Sequence, residues 1–203
     1  MELSKKRMAF NSDYMDTTTV FLDGKYLQLI GDHFRNQDNN IKYDINQLAI
    51  TLSKNQGLWC KKVFYYTAPP FQSDIPTEDE TRRRSKYDRF KNKLEKIPNF
   101  VFREGRCQKV DGDYHQKGVD TLVTMDLLSE ASANRGMTFI LIACDTDFVP
   151  ILKEIREKFG IKIVLYYYTD KIRDSKFSMS NYILTVCDKC ILMDKKIFSK
   201  SQL

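Results

Sequence analysis

Two aspartates two residues apart, Asp145 and Asp147, interrupt the run TFILIACDTDFVPILKEI between an apolar stretch and an amphipathic one. At that spacing they leave an extended backbone on the same side. A third acid, Asp23, ends the β-branched and apolar run Thr17–Leu22 and precedes Gly24. A fourth, Asp120, opens the helical words KGVDTLVTMDLL, with Lys117 and Gly118 just ahead of it. Carboxylates brought close raise one another's pKa and oppose folding. A hard divalent cation such as Mg²⁺ or Mn²⁺ relieves that repulsion, because it prefers carboxylate and water oxygens. Asp126 is a poor partner for Asp120, since six residues along a helix turn it away by ~120° and displace it by ~9 Å. Each acid also has a plainer reading. Asp120 could be an N-cap, Asp147 could cap the helix that Pro150 opens, and Asp23 could be a turn residue before Gly24. Their conjunction points to a site, because three separate segments must each bring an acid to one sheet edge.

The elements that carry these acids are legible in the apolar periodicity. Strands are predicted over Thr17–Leu22, Lys62–Thr67, Phe100–Arg103, Phe139–Cys144 and Ile161–Tyr167. Between them lie helical patterns. One places Leu27, Ile30 and Phe34 inward, and a second carries Ile45, Leu48, Ala49 and Leu52 behind a capping box of Asp44 and Gln47. A third carries Tyr87, Phe90, Leu94 and Ile97 behind a box of Thr77 and Glu80. Two more helices close at Gly136 and Gly160. The stretch APPFQSDIPTEDE reads as loop, because its prolines suit neither a helix nor a central strand. EGRCQKVDGDYHQ reads as the link from the third strand to the next helix. After Tyr167 come a charged loop, a short helix and a last edge strand. Strands alternating with helices imply βαβ units, hence an α/β domain with a mostly parallel sheet covered on both faces. Ligands of such sheets bind at the carboxyl ends of the strands, where the strand order reverses.

A chain of 203 residues with 42% hydrophobic content supports one core. Residues 1–16 read as an N-terminal extension and 17–203 as the domain. The runs FILIAC and IVLYYY are far short of the ~20 residues a membrane span needs, and the first residues lack an apolar signal core. A soluble, cytoplasmic protein is therefore expected, with homo-oligomerisation left open. The five cysteines read as reduced thiols, and the CxxC of Cys187 and Cys190 as buried structural thiols rather than half a zinc site. A net charge of +6 permits a nucleic-acid partner. Its basic clusters are Lys5–Arg7, Lys61–Lys62, Arg82–Arg84, Lys171–Arg173 and Lys195–Lys196. Neither His33 nor His115 has a partner recognisable in the sequence, so the carboxylates are expected to carry the chemistry alone.

Taken together, VFLDG, KGVDTLVTMDLL, ILIACDTDFVPILKEIREKFGIKIVLY and SNYILTVCDKCILM resemble the NYN domain, specifically its LabA-like branch, within the PIN-like nuclease superfamily. The resemblance spans about Val20 to Met193. It implies a PIN-like three-layer fold and a metal-dependent ribonuclease site. By position it assigns catalysis and metal binding to Asp23, Asp120, Asp145 and Asp147, and it sets Ser180 and Asp188 on the family's C-terminal pattern. Two positions depart from the family's usual residues: Tyr26 stands where an Asn is usual, and Ala143–Cys144 where Ser-Gly is usual. The expected activity is hydrolysis of single-stranded RNA with Mg²⁺ or Mn²⁺; the alternative is an RNA-binding module of the same fold with impaired or absent catalysis. A phosphatase of the haloacid dehalogenase type ranks third, since it would want an acid two residues after Asp23, where this chain has Lys25. For RNA, Lys25 and Lys117 are expected to contact phosphate. Arg82, Arg83 and Arg84 are expected to form a groove wall with the loop Ala68–Glu80.

Overall fold

Val20 and Leu22 leave the first strand, β1 (Thr17–Asp23), on one side and Phe21 leaves on the other, and all three are fully buried. A strand apolar on both sides needs cover on both. The computed structural model describes residues 16–38, 41–170, 172, 175–177 and 179–202. The extension up to residue 15, the cluster Lys5–Arg7, and Lys171 and Arg173 lie outside those residues. Six strands form one sheet in the order β3 (Phe100–Glu104), β2 (Trp59–Thr67), β1, β6 (Thr138–Ile142), β7 (Lys162–Tyr167), β8 (Lys189–Leu192). Every neighbouring pair is parallel. The face carrying Val20 and Leu22 packs against α1 (Gly24–Gln37), α2 (Ile45–Lys54), α3 (Glu78–Glu95) and α7 (Lys195–Ser199). The face carrying Phe21 packs against α4 (Val119–Ala133), α5 (Val149–Phe159) and α6 (Tyr182–Thr185). The result is a three-layer α/β domain.

The path of the chain decides where a site can form. It runs outward from β1 through β2 to β3, then returns to lay β6 against the other side of β1 and continues outward through β7 to β8. The strand order thus reverses between β1 and β6, and a crevice opens there at the carboxyl ends. In the β1–β6 register Leu22 pairs with Ile142, so Asp23 and the residues just after Ile142 emerge side by side. Gly24 makes the exit from β1 possible. A Cβ there would stand 2.6 Å from the Tyr66 carbonyl oxygen and 2.6 Å from the Tyr65 ring, so only glycine lets α1 start this close to β2.

The stretch EGRCQKVDGDYHQ is more than a link. It folds into an antiparallel hairpin of β4 (Arg106–Val110) and β5 (Asp113–Lys117), a two-stranded sheet of its own. Its turn residues Asp111 and Gly112 have φ of 52° and 91°, the pair of left-handed conformations that an Asp-Gly hairpin turn requires. Apolar periodicity missed it because neither face of the hairpin is apolar. The capping box of Thr77 and Glu80 is complete, and Asp44 Oδ1 accepts the backbone N–H groups of Asn46 and Gln47. All five cysteines are free thiols; Cys187 is half-buried, but Cys190 is exposed rather than buried as expected. Among the described residues, no helix is long and apolar enough to cross a membrane.

Candidate active site

Asp23 ends β1 and caps α1. Its Oδ1 accepts the backbone N–H of Lys25 at 3.0 Å and of Tyr26 at 3.1 Å, bonds in which Oδ2 takes no part. Asp145 repeats the device beyond β6: its Oδ1 accepts the N–H of Asp147 at 2.9 Å and caps the 3-10 turn Thr146–Phe148. Capping therefore falls to Asp145 and not to Asp147, because α5 begins behind Phe148 without a side-chain cap. Asp120 is not a cap either. The N-cap of α4 is Gly118, at φ 80°, and Asp120 stands in the first turn.

Asp23, Asp120 and Asp145 line one cavity of about 340 Å³ together with Lys25, Tyr26, Cys144 and His115. Asp147 lies outside the lining, but its charge reaches Asp120. Burial pushes the Asp23 carboxyl above its ordinary value and the charge of Asp120 adds to this, against the pull of the Lys25 and Tyr26 backbone N–H groups and the Lys25 ammonium. Asp120 is raised first by desolvation and then by Asp145 and Asp147. The acids thus repel one another across the crevice. Cys144, where a glycine was expected from the resemblance, has its thiol pushed up to about 12 by burial and by Asp23 and Asp145, so it sits there as a neutral wall. Tyr26 is 4% exposed, and burial drives its phenol well above the ordinary range. Its O–H donates to the Tyr168 carbonyl at 3.0 Å and accepts the Tyr168 N–H at 2.8 Å. The phenol is a latch between α1 and the chain leaving β7.

Among the described residues, no three His, Cys, Asp or Glu side chains stand together as a ready-made metal cage. The donor set still suits Mg²⁺ or Mn²⁺ by its chemistry, being carboxylate oxygen in mutual repulsion. Mg²⁺ in particular is commonly held through one or two carboxylates, with water and substrate phosphate completing its octahedron. Asp23, Asp120 and Asp145 are the residues that could hold it.

The other expected residues divide. Lys25 lines the cavity, whereas Lys117, at the end of β5, does not. Arg82, Arg83 and Arg84 lie in α3, away from the cavity lining. Arg82 and Arg83 pair with Asp79 at 2.5 and 2.8 Å, and Arg84 pairs with Asp88 at 3.0 Å. Exposed pairs of this kind are worth only ~0–1 kcal/mol, so they do not bar a phosphate. Asp126 is fully engaged below the site, bound by the Arg103 guanidinium at 2.8 and 2.6 Å and by the Tyr66 hydroxyl at 3.2 Å. Ser180 accepts the Tyr182 N–H at 3.2 Å. Asp188 accepts the Ile163 N–H at 2.8 Å and pairs bidentately with Arg156 on α5 at 3.1 and 2.7 Å. Asp188 thus ties separate elements together, whereas the bond of Ser180 is local to its own turn. Sequence reasoning missed the contribution of β5, which brings Tyr114, His115 and Gln116 to the cavity wall. The Asp-Gly dipeptide was the signal that could have found it.

A parallel sheet between two helical layers, with carboxylates gathered at its switch point, defines the class of this protein, a PIN-like α/β domain. The chain belongs to the NYN domain family, whose sequence profile matches residues 17–194. That family is PIN-like and its members are generally assigned as nucleases. No curated protein matches the sequence. Among solved structures, the chain is similar to a protein of unknown function from Vibrio parahaemolyticus, at a TM-score of 0.56 and 18% identity, covering 90% of this chain and 95% of that one. This supports the fold alone. A structure from a study of the mechanism and regulation of Sir2 enzymes overlaps at a TM-score of only 0.37, with 9% identity over 93% of this chain and 92% of the other. That overlap is too low to bear on fold or function.

Proposed function

We propose that this NYN domain, of the LabA-like branch, is a ribonuclease that hydrolyses phosphodiester bonds of single-stranded RNA with Mg²⁺ or Mn²⁺. One observation carries the reading: acids from three separate elements, Asp23 of β1, Asp120 of α4 and Asp145 beyond β6, line one cavity at the switch point. Asp23 and Asp145 are held in place by the backbone N–H groups they cap, so their positions do not depend on a ligand. When bound among them, the cation would neutralise charge on the phosphate and lower the pKa of a water. Lys25 stands at the same wall to balance the phosphate charge, with Asp147 near enough to tune Asp120. Lys117 and the arginines of α3 would serve as outer phosphate contacts. A cytoplasmic setting belongs to the same reading, since an odd number of cysteines argues against a disulfide framework.

A second reading, an RNA-binding module with impaired catalysis, is favoured by Tyr26, whose phenol is committed to the Tyr168 backbone where the family usually offers a carboxamide. One experiment separates the readings. A labelled single-stranded RNA and a small phosphate ester are each incubated with the protein in Mn²⁺, and again with EDTA. Cleavage of RNA alone, abolished by EDTA, supports the nuclease. Binding without cleavage supports the module, and turnover of the ester supports a phosphatase.

A further inference from the structure

The β4–β5 hairpin stands apart from the main sheet, yet its second strand supplies part of the wall of the acid cavity. In an antiparallel pair, residues directly opposite share a face. Lys109 is opposite Tyr114, and Cys107 is opposite Gln116, so these four lie on one face while His115 lies on the other. Tyr114 is 49% exposed and also lines the cavity of the acids. Phe71, from the proline-rich loop after β2, packs against its ring with centroids 5.6 Å apart, and the Lys109 ammonium stands 5.7 Å from its centroid. The ring is therefore braced by Phe71, has the Lys109 ammonium over its face, and keeps about half its surface open.

The base of the hairpin is fixed as well. Gly105 donates its N–H to the Thr67 carbonyl at 2.9 Å, and a Cβ on it would stand 2.5 Å from the Lys117 carbonyl oxygen. The platform is thus anchored to the carboxyl end of β2, beside the crevice that holds the acids.

We propose that the hairpin is the substrate grip of this site, with Tyr114 as a stacking platform for an unpaired base and Lys109 meeting the adjoining phosphate. The next phosphate of the same strand then reaches the cavity of Asp23, Asp120 and Asp145. An aromatic face accepts any base, but only one that has left a duplex stack, so the grip selects single strands by structure and not by sequence. Gln116, on the same face and in the same wall, offers an amide to the strand where it enters the cavity. The inference adds the element that grips the single strand of the proposed nuclease and rests on that reading for the use of the acids; the binding step stands by itself.

The test is binding of a labelled single-stranded RNA in EDTA, followed by fluorescence anisotropy, with the parent, Tyr114→Ala, Tyr114→Phe and Tyr114→Trp. Stacking of one base predicts that Tyr114→Ala weakens binding about 5- to 150-fold, while Tyr114→Phe and Tyr114→Trp stay within about threefold. On a strand of the same length made abasic, the parent should bind weakly and Tyr114→Ala should lose nothing more. Equal melting temperatures for parent and Tyr114→Ala check that the exposed ring does not support the fold. Tyr114→Ala binding the intact strand as tightly as the parent would overturn the grip, as would the same loss on the abasic strand or no binding by the parent. The nuclease reading fails separately, when the parent binds RNA by this pattern and does not cleave it with Mn²⁺.

Discussion

Asp120 is the residue on which the site's electrostatics converge, since desolvation works against its charge and Asp145 and Asp147 both add to the cost. Its place in the first turn of α4 is otherwise favourable to an acid. That an acid in a favourable helix position is nonetheless pushed toward protonation means that desolvation and the neighbouring acids together outweigh the helix. Replacing Asp120 by Asn removes a repelling charge and, on the proposed reading, a cation ligand together. The metal-free variant should melt at or above the parent's temperature at pH 7, while its Mn²⁺ affinity falls by more than about tenfold, since even residues behind the ligands cost that much. Calorimetric titration and thermal unfolding on one preparation check both halves. Asp145→Asn should lose affinity likewise and keep its capping bond, because an Asn oxygen can accept the Asp147 N–H as well.

Among the elements, α1 and β8 show how the fold fixes the site. Gly24→Ala forces a Cβ against the Tyr66 carbonyl and the Tyr65 ring, and the start of α1 must shift. A cost of about 1–3 kcal/mol in denaturant unfolding is expected, with weaker Mn²⁺ binding because Asp23 moves with that helix end. Asp188 ties β8 to β7 and to Arg156 of α5. Burial works against its charge, but the Arg156 guanidinium and the Ile163 N–H win and hold its carboxyl below the ordinary 3.8. A depressed carboxyl stabilises the fold fully above its unfolded value, and that contribution is lost as pH falls through the folded one. Asp188→Asn should therefore cost about 1 kcal/mol at pH 7, the pair being about a third exposed and screened, and the gap between variant and parent should close toward pH 3. The central strands were legible as short continuous apolar runs, and the helices by apolar residues recurring every three or four positions. That Asp23 and Asp145 share one sheet edge followed from βαβ logic, whereas the pairing of β1 with β6, which brings them together, is a feature of the strand order that no local pattern carries. The hairpin was not legible by that route: Tyr114 and His115 belong to a ribbon whose burial pattern is polar on both faces. Tyr26 was read as a bare departure from the family, because its partner, the Tyr168 backbone, lies 142 residues away in sequence.

For the whole molecule, a net charge of +6 over a crevice whose charged lining is three acids and Lys25 means that most of the basic surface lies around the site. The arginines of α3 are the test of that division. Neutralising Arg82, Arg83 and Arg84 together should lower the log–log salt slope of RNA binding by up to about three units, with the rate of cleavage at saturating RNA little changed. An unchanged slope would leave the triplet as a solvated helix face paired to Asp79 and Asp88. The central claim, that the acids at the switch point cut RNA, is tested most directly by cleavage of a labelled single-stranded RNA in Mn²⁺ by identically purified parent, Asp23→Asn/Asp145→Asn and His115→Ala proteins. Cleavage by the parent should be lost in the double aspartate variant and in EDTA. His115→Ala should lose less than tenfold, because a general base would be worth about 10²–10⁴. Equal cleavage by the parent and the aspartate variant would mean that the activity does not come from this cavity.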